Sequence, residues 1–342
     1  MPPGRRDKPE PAVTGPRRCF VCAAAMLAPS TRRLDFPDGR RRVFPAACGS
    51  CGVLIEPDAD PERCWWDLAG RLAAPVFVPD PEAGYGLDLY TLRSAATRLG
   101  RGIRPLGLED RAALLQPHSL RAAEGALYDL DSAEQRLVSL GVICRSAERD
   151  SVLAALPAQA AWAADVTILL DARTAPARAV AVPGFAPGAV RVAARPLAGD
   201  FAAQRNALQD LARSPWMLQL DADEAVDPAT GARLPALAAL AEAGNVVSVG
   251  LPRRNRVDGI LSDVYPDVQY RLNRMVVRYA GRVHERPELP GGWPQSFIAL
   301  HGAIDHTLTG IHVRARSQRY EALDPGRGRP EERDALLQPY RA

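Results

Sequence analysis

The residues of this chain that could do chemistry are two pairs of cysteines and one pair of aspartates. Cys19-Phe-Val-Cys22 and Cys48-Gly-Ser-Cys51 are CxxC knuckles separated by about 25 residues. A two-residue gap turns both thiolates of a knuckle toward one ion, and two knuckles complete a tetrahedral four-cysteine zinc site. Such a site is closed, so its Zn2+ is structural and replaces a hydrophobic core that so short a segment cannot build. Gly49 and Gly52 suit the tight turns, while Cys64 and Cys144 lack the spacing and read as ordinary buried residues. The aspartates close the apolar run Trp216-Met-Leu-Gln-Leu-Asp-Ala-Asp-Glu224. Two carboxylates so close repel each other, and a hard divalent ion, Mg2+ or Mn2+, removes that cost. The same ion can bridge a diphosphate and neutralise charge that grows on a leaving group.

Those carboxylates need a scaffold. From Arg136 onward, short apolar runs alternate with helical stretches. Leu137–Cys144, Val166–Leu170, Val190–Ala193 and Trp216–Leu220 read as strands buried on both faces. Arg149–Ala163 (interrupted by Pro157), Asp200–Ala212 and Leu234–Ala243 read as helices, the second with Phe201, Leu208 and Leu211 on one face. Val246–Leu251 and Val268–Leu272 add strands. The alternation predicts an α/β fold, a parallel sheet with covering helices. Ligands of such sheets bind beyond the carboxyl ends of the strands, where Asp171 and Asp221 both stand.

The chain divides by composition. Residues 1–16, polar and proline-rich, read as a disordered tail. Residues 17–60 form the cysteine module, and 61–135 a helical connector with a helix near Leu89–Leu99. Residues 136–323 form the main domain, and 324–342, rich in Pro, Gly and Arg, a flexible tail. Of 342 residues, 47% are apolar, ample for a packed core, and the net charge of +3 is too small to imply nucleic acid or an anionic membrane. Lys8 is the only lysine, so the arginine excess reads as coding bias. No stretch approaches the roughly 20 apolar residues of a bilayer span. The start of the chain has no apolar signal core, so the protein is expected in the cytoplasm. That reducing compartment favours metal ligation over disulfides.

The knuckles resemble a zinc ribbon. The main domain resembles the family 2 glycosyltransferases of GT-A fold, most closely the branch of bacterial lipopolysaccharide-core glucosyltransferases. The resemblance rests on Phe201-Ala-Ala-Gln-Arg-Asn206 with Trp216–Glu224, followed in order by Leu251-Pro-Arg-Arg-Asn255, Pro266-Asp-Val-Gln-Tyr-Arg-Leu272 and Gly281-Arg-Val-His-Glu285. His306 falls where the family often has a late histidine. The resemblance covers about residues 136–320 and implies a Rossmann-like mixed sheet with covering helices. It further implies metal-dependent transfer of a sugar from a nucleotide-sugar donor to a saccharide or glycoconjugate acceptor, with inversion, in surface polysaccharide or glycoconjugate synthesis.

Residue roles follow from the resemblance alone. Asp221 and Asp223 would sit by the donor ribose and diphosphate, with Asp223 the more direct metal ligand and Glu224 orienting them. Asp171 would contact the donor. Arg205 would hold donor phosphate or else pair with a carboxylate between helix and sheet. Glu285 or Asp267 would act as general base. His284 is either structural or an acceptor or phosphate contact, and His306 a metal or phosphate contact or a structural histidine. His118 reads as a surface residue.

Two donor motifs depart from the family. Its Asn-Glu pair after the first strand is replaced by Cys144-Arg-Ser-Ala-Glu148. Its Asp-x-x-Ser-x-Asp-x-Thr run reads Asp171-Ala-Arg-Thr-Ala-Pro-Ala-Arg178. The departures leave open a catalytically inactive binding protein on the same fold, docking to a protein partner through its ribbon. Arg32, Arg33, Arg40, Arg41 and Arg42 near the ribbon would suit nucleic acid, but the low net charge argues against that partner.

Overall fold

The computed structural model describes residues 18–25 and 27–341, so the tail expected over 1–16 lies outside the described residues. Four parallel strands form the heart of the main domain. Val138–Arg145 lies between Ala163–Asp171 and Trp216–Asp221, and Val190–Arg195 pairs beyond Ala163–Asp171. Their burial on both faces explains the near-continuous Val, Ile and Leu. The sheet is mixed rather than wholly parallel. Val268–Arg274 runs antiparallel to Trp216–Asp221, and Ser248–Val257 antiparallel to Val268–Arg274. Ile304–Leu308 then pairs parallel to Ser248–Val257 and antiparallel to Glu224–Val226.

Each covering helix follows from local chemistry. Pro228–Ala243 starts with Asp227, whose carboxylate accepts the Thr230 N–H at 2.8 Å, has Pro228 in its first turn, and stops before Gly244. Phe201–Gln209 is capped by Asp200, which accepts from the Ala203 N–H at 2.8 Å. This helix sits close to the sheet because Gly141 beneath it has no side chain. A Cβ there would come within 2.8 Å of both Leu208 and Met217.

The buried face of Phe201–Gln209 differs from the expected one. Gln204, Arg205 and Gln209 are buried with Ala202 and Leu208, whereas Phe201 and Leu211 are only half-buried. The reason is polar pairing inside the domain. Gln209 donates to the Arg274 carbonyl at 2.8 Å and receives a bond from Gln219 at 2.7 Å, and Arg205 reaches the carboxylates at the strand ends.

The cysteine module shares its core with the stretch that follows it. Val21, Val53 and Ile55 pack with Leu68 and Leu72 of helix Pro61–Ala73 and with Leu92 and Ala96 of helix Leu89–Arg98. Residues 61–135 also contain a three-stranded sheet, Val76–Phe77, Gly125–Asp129 and Arg101–Arg104, beside the expected helix. Helix Leu89–Arg98 joins this core to the large sheet. Tyr90 Oη donates to the Ser296 carbonyl at 2.6 Å, and Thr97 Oγ1 accepts from the Leu300 N–H at 2.8 Å. Arg93, fully buried, lies against the rings of Tyr90 and Phe297. Residues 324–341, read from composition as a flexible tail, include helix Pro330–Leu336. Leu336 is buried with Val257, Leu308 and Val313, a packing that Pro, Gly and Arg content does not reveal. Among the described residues, no helix is long and apolar enough to cross a membrane.

Candidate active site and metal centres

Cys19, Cys22, Cys48 and Cys51 come together as the spacing requires. All four are buried, and their sulfurs lie within 4.8 Å of one another. The Cys19–Cys51 and Cys22–Cys48 separations are 3.6 Å. A tetrahedral Zn2+ with Zn–S bonds of about 2.3 Å needs sulfurs about 3.8 Å apart, so the four donors fit that ion. Hydrogen bonds with Cys19, Cys22 and Cys51 draw the Cys48 thiol well below its ordinary range, while burial first and then Cys19, Cys22 and Cys48 push Cys51 up. Thiols this crowded share charge poorly without a cation. The nearby arginines are already paired: Arg32 with Asp88, Arg33 and Arg41 with Asp35, Arg40 with Asp38 and Glu82, and Arg42 with Glu56. They present no free basic stripe.

A second site opens at the carboxyl ends of the parallel strands, as a cleft of about 410 Å3. Asp171, Arg205, Asp221, Asp223, Asp267, His284, Glu285 and His306 all line it. Glu224 stands just behind, its side chain fully buried. Asp221 ends its strand opposite Ile143, while Arg145, Asp171 and Arg195 stand in register at the ends of the neighbouring strands. The chain then turns through Ala222 and Asp223 into the short strand Glu224–Val226, which pairs Glu224 with His306. This pairing carries a residue far along the chain to the aspartates: His306 Nε2 lies 3.3 Å from Asp223 Oδ2.

Buried guanidiniums divide the carboxylates among them. Arg205, 1% exposed, binds Asp221 through both oxygens at 2.8 and 3.0 Å and also reaches Glu285 Oε1. Arg271 stands 3.4 Å from Asp221 and 3.7 Å from Glu285. Arg253 bridges Glu224 at 2.7 Å and Asp267 at 2.6 Å. Glu224 also accepts the Asp221 N–H at 3.1 Å, so it braces the turn. Burial, opposed by Arg205 and reinforced by Glu224, Glu285 and Asp223, pushes the Asp221 carboxyl up to about 7. The carboxylates crowd Asp221 itself, while over the whole cleft the lining arginines, Arg286, Arg316, Arg319 and Arg329 among them, balance the acids.

Asp267 spends both oxygens. Oδ2 accepts from Arg253 and Asn255, and Oδ1 accepts from Gln269 at 2.7 Å. Burial works to raise its carboxyl, but these partners outweigh it and hold it below the usual range. His284 donates Nε2–H to the Arg327 carbonyl at 2.8 Å and lies edge-on to Tyr320. Asp171 accepts the Leu197 N–H at 2.9 Å. Glu148 closes onto Arg145, whose backbone N–H it accepts at 2.8 Å. Asp221, Asp223 and His306 do not form a compact nest. Among the described residues, the four cysteines are the one group of three or more His, Cys, Asp or Glu whose donor atoms lie within 4.8 Å of each other. Asp221 is instead drawn to Arg205.

Several cleft residues received no role from the sequence. Arg253, Asn255 and Arg271 lie within the segments singled out there, yet their work depends on pairing between strands. Arg316, Arg319 and Tyr320 share one face of helix Gly310–Leu323 and form a wall of the cleft. Their i, i+3, i+4 spacing was the available signal. Cys144 is buried and His118 exposed, as expected, and Cys144 also lies on the cleft wall.

No family description and no curated protein matches this chain. Among solved structures, S. aureus TarS 1-349 is similar at 11% identity with a TM-score of 0.29, over 58% of this chain and 69% of that one. The same protein in complex with UDP-GlcNAc gives 11% identity and a TM-score of 0.30, over 58% of this chain and 70% of that one. Scores this low assign neither a fold family nor a ligand.

Proposed function

We propose that this chain is a metal-dependent glycosyltransferase of GT-A fold and family 2 type, preceded by a structural zinc ribbon. It moves a sugar from a nucleotide-sugar to an acceptor hydroxyl on a saccharide or glycoconjugate. The observation that carries this reading is the convergence of Asp221, Asp223, His306 and Glu285 on one cleft at the carboxyl ends of parallel strands. Asp223 and His306 would hold Mg2+ or Mn2+, with diphosphate oxygens completing the coordination. That ion would neutralise charge on the departing diphosphate. Arg316 and Arg319 supply positive charge on the wall across the cleft. Glu285 takes the acceptor proton, held in place by Arg205 and Arg271. Asp267 is unsuited to that task because its oxygens are filled and its carboxyl is held acidic. His284 is a brace for the segment around Arg327. Attack from the face opposite the diphosphate inverts the anomeric carbon.

A thermal-shift screen of UDP-, GDP- and dTDP-sugars, with and without Mn2+, on the native chain and on Asp223→Ala tests the reading. A rise with one nucleotide that needs Mn2+ and is lost in the variant is expected. No rise with any donor removes the transferase. A second reading, a donor-free binding protein, is favoured by the closure of Arg145 on Glu148 and the commitment of Asp171 to Leu197. It requires partner binding that survives Asp223→Ala.

A further inference from the structure

We propose that the acceptor is an anionic saccharide, one that bears a phosphate or a carboxylate, and that Arg286 and Arg319 hold its charge beside Glu285. The inference deepens the transferase reading above and rests on it, since that reading places the acceptor hydroxyl at Glu285. It starts from how the cleft spends its arginines. Arg205 and Arg271 share Asp221 and Glu285, and Arg253 holds Asp267. Arg145 holds Glu148, and Arg329 holds Glu332. Arg286, Arg316 and Arg319 line the same cleft, yet among the described residues no carboxylate stands within ion-pair distance of them. Most acids of the cleft are taken by contact, and these three guanidiniums are open to a ligand.

Helix Gly310–Leu323 separates the two ends of the cleft. Strand Ile304–Leu308, which brings His306 to Asp223, runs straight into this helix, so the first turn stands at the aspartate end. Tyr320 lies about 12 Å further along than His312, at 1.5 Å per residue. There it packs edge-on against His284, with ring centroids 5.1 Å apart. Glu285 and Arg286 follow His284 directly in the chain. Arg319 and Arg286 therefore belong to the Glu285 end, while Arg316 lies one turn nearer Asp223. Both are exposed, and among the described residues Arg286 finds only the Val268 carbonyl, at 3.5 Å. A guanidinium gives two parallel N–H bonds to a phosphate or carboxylate, a match that a neutral hydroxyl does not offer.

The test titrates glucose 6-phosphate, glucuronate and glucose into the full, zinc-loaded chain by calorimetry. Mn2+ and whichever of UDP, GDP or dTDP binds are present at saturation, so that the donor site is filled. The better of the two charged sugars is expected to bind about 10- to 100-fold tighter than glucose, and it identifies the group as phosphate or carboxylate. The excess should shrink as salt rises. Arg286→Ala should lose most of the preference and keep its nucleotide affinity, Arg286→Lys should keep part of the preference, and R286A/R319A should remove it. Melting temperature checks the fold, which these exposed side chains leave unchanged. Equal affinity for all three sugars, or a preference that survives R286A/R319A, overturns the inference and leaves the transferase reading intact. Charged sugars that bind the bare chain and are excluded by the nucleotide assign the wall to the donor, and overturn the inference as well. Loss of nucleotide affinity in Arg286→Ala does the same. A native chain that binds no nucleotide overturns both readings.

Discussion

The cysteine cluster and the cleft each gather side chains that can ligate a metal, and they are built in opposite ways. The cluster gathers four like donors, all buried, at distances an ion would impose, and its charged neighbours are paired elsewhere. The cleft gathers unlike donors and then separates them. Arg205 takes Asp221, Arg253 takes Glu224 and Asp267, and Asp223 is left facing His306 with 34% of its side chain exposed. A closed site contributes folding energy; an open one keeps a position for a ligand. Arginines, more than carboxylates, decide which acid in a crowded mouth is free for an ion.

The comparison breaks most sharply at the cluster. Cys48→Ser should remove zinc and melt the region it shares with helices Pro61–Ala73 and Leu89–Arg98. Structural zinc supplies about 10–16 kcal/mol in small metal-folded peptides, as much as the whole stability of a typical domain, about 5–15 kcal/mol. Metal content and a circular-dichroism melt check this, and an unchanged melt would mean that the apolar packing suffices. Arg205→Leu comes next. It strands Asp221 and Glu285 beside one another and should cost about 3–5 kcal/mol, seen as a lower urea midpoint, with donor binding lost as well.

A smaller effect concerns pH. Asp267 has a folded-state carboxyl below its unfolded value, so the stability it adds is complete above that unfolded value of about 3.9. It fades as pH falls through the lower, folded one. Asp267→Asn should flatten the acid limb of a stability-against-pH curve, and an unaltered limb would show that Asp267 contributes nothing there. Smallest of all, Asp223→Ala should change stability by no more than about 1 kcal/mol, since the side chain is partly exposed and holds no arginine. It should nevertheless abolish Mn2+-dependent donor binding. A large stability loss would show that Asp223 is part of the frame.

The sequence displayed the strands of the parallel core because burial on both faces leaves uninterrupted apolar runs, as in Val138–Arg145. It displayed the cysteines because knuckle spacing is local. It misjudged helix Phe201–Gln209, where periodicity pointed to Phe201 and Leu211 while the buried face carries Gln204, Arg205 and Gln209. A polar side chain buried by pairing leaves no hydrophobic trace. The hydrogen bonds from Asp267 through Asn255 to His306 were invisible for a different reason: they depend on register between Ser248–Val257 and Ile304–Leu308, about 50 residues apart. The helix around Leu336 was hidden by composition, since a few apolar contacts decide its place.

Helix Leu89–Arg98 gives Ser296 and Leu300 their partners and covers Phe297 with Arg93. The large sheet therefore has no finished surface of its own on that side. A shortened protein beginning at Arg136 would bare Phe297 and leave those backbone groups to water. It should come out of expression as aggregate, and anyone seeking a minimal folded unit would have to keep the cysteine-bearing half as its lid.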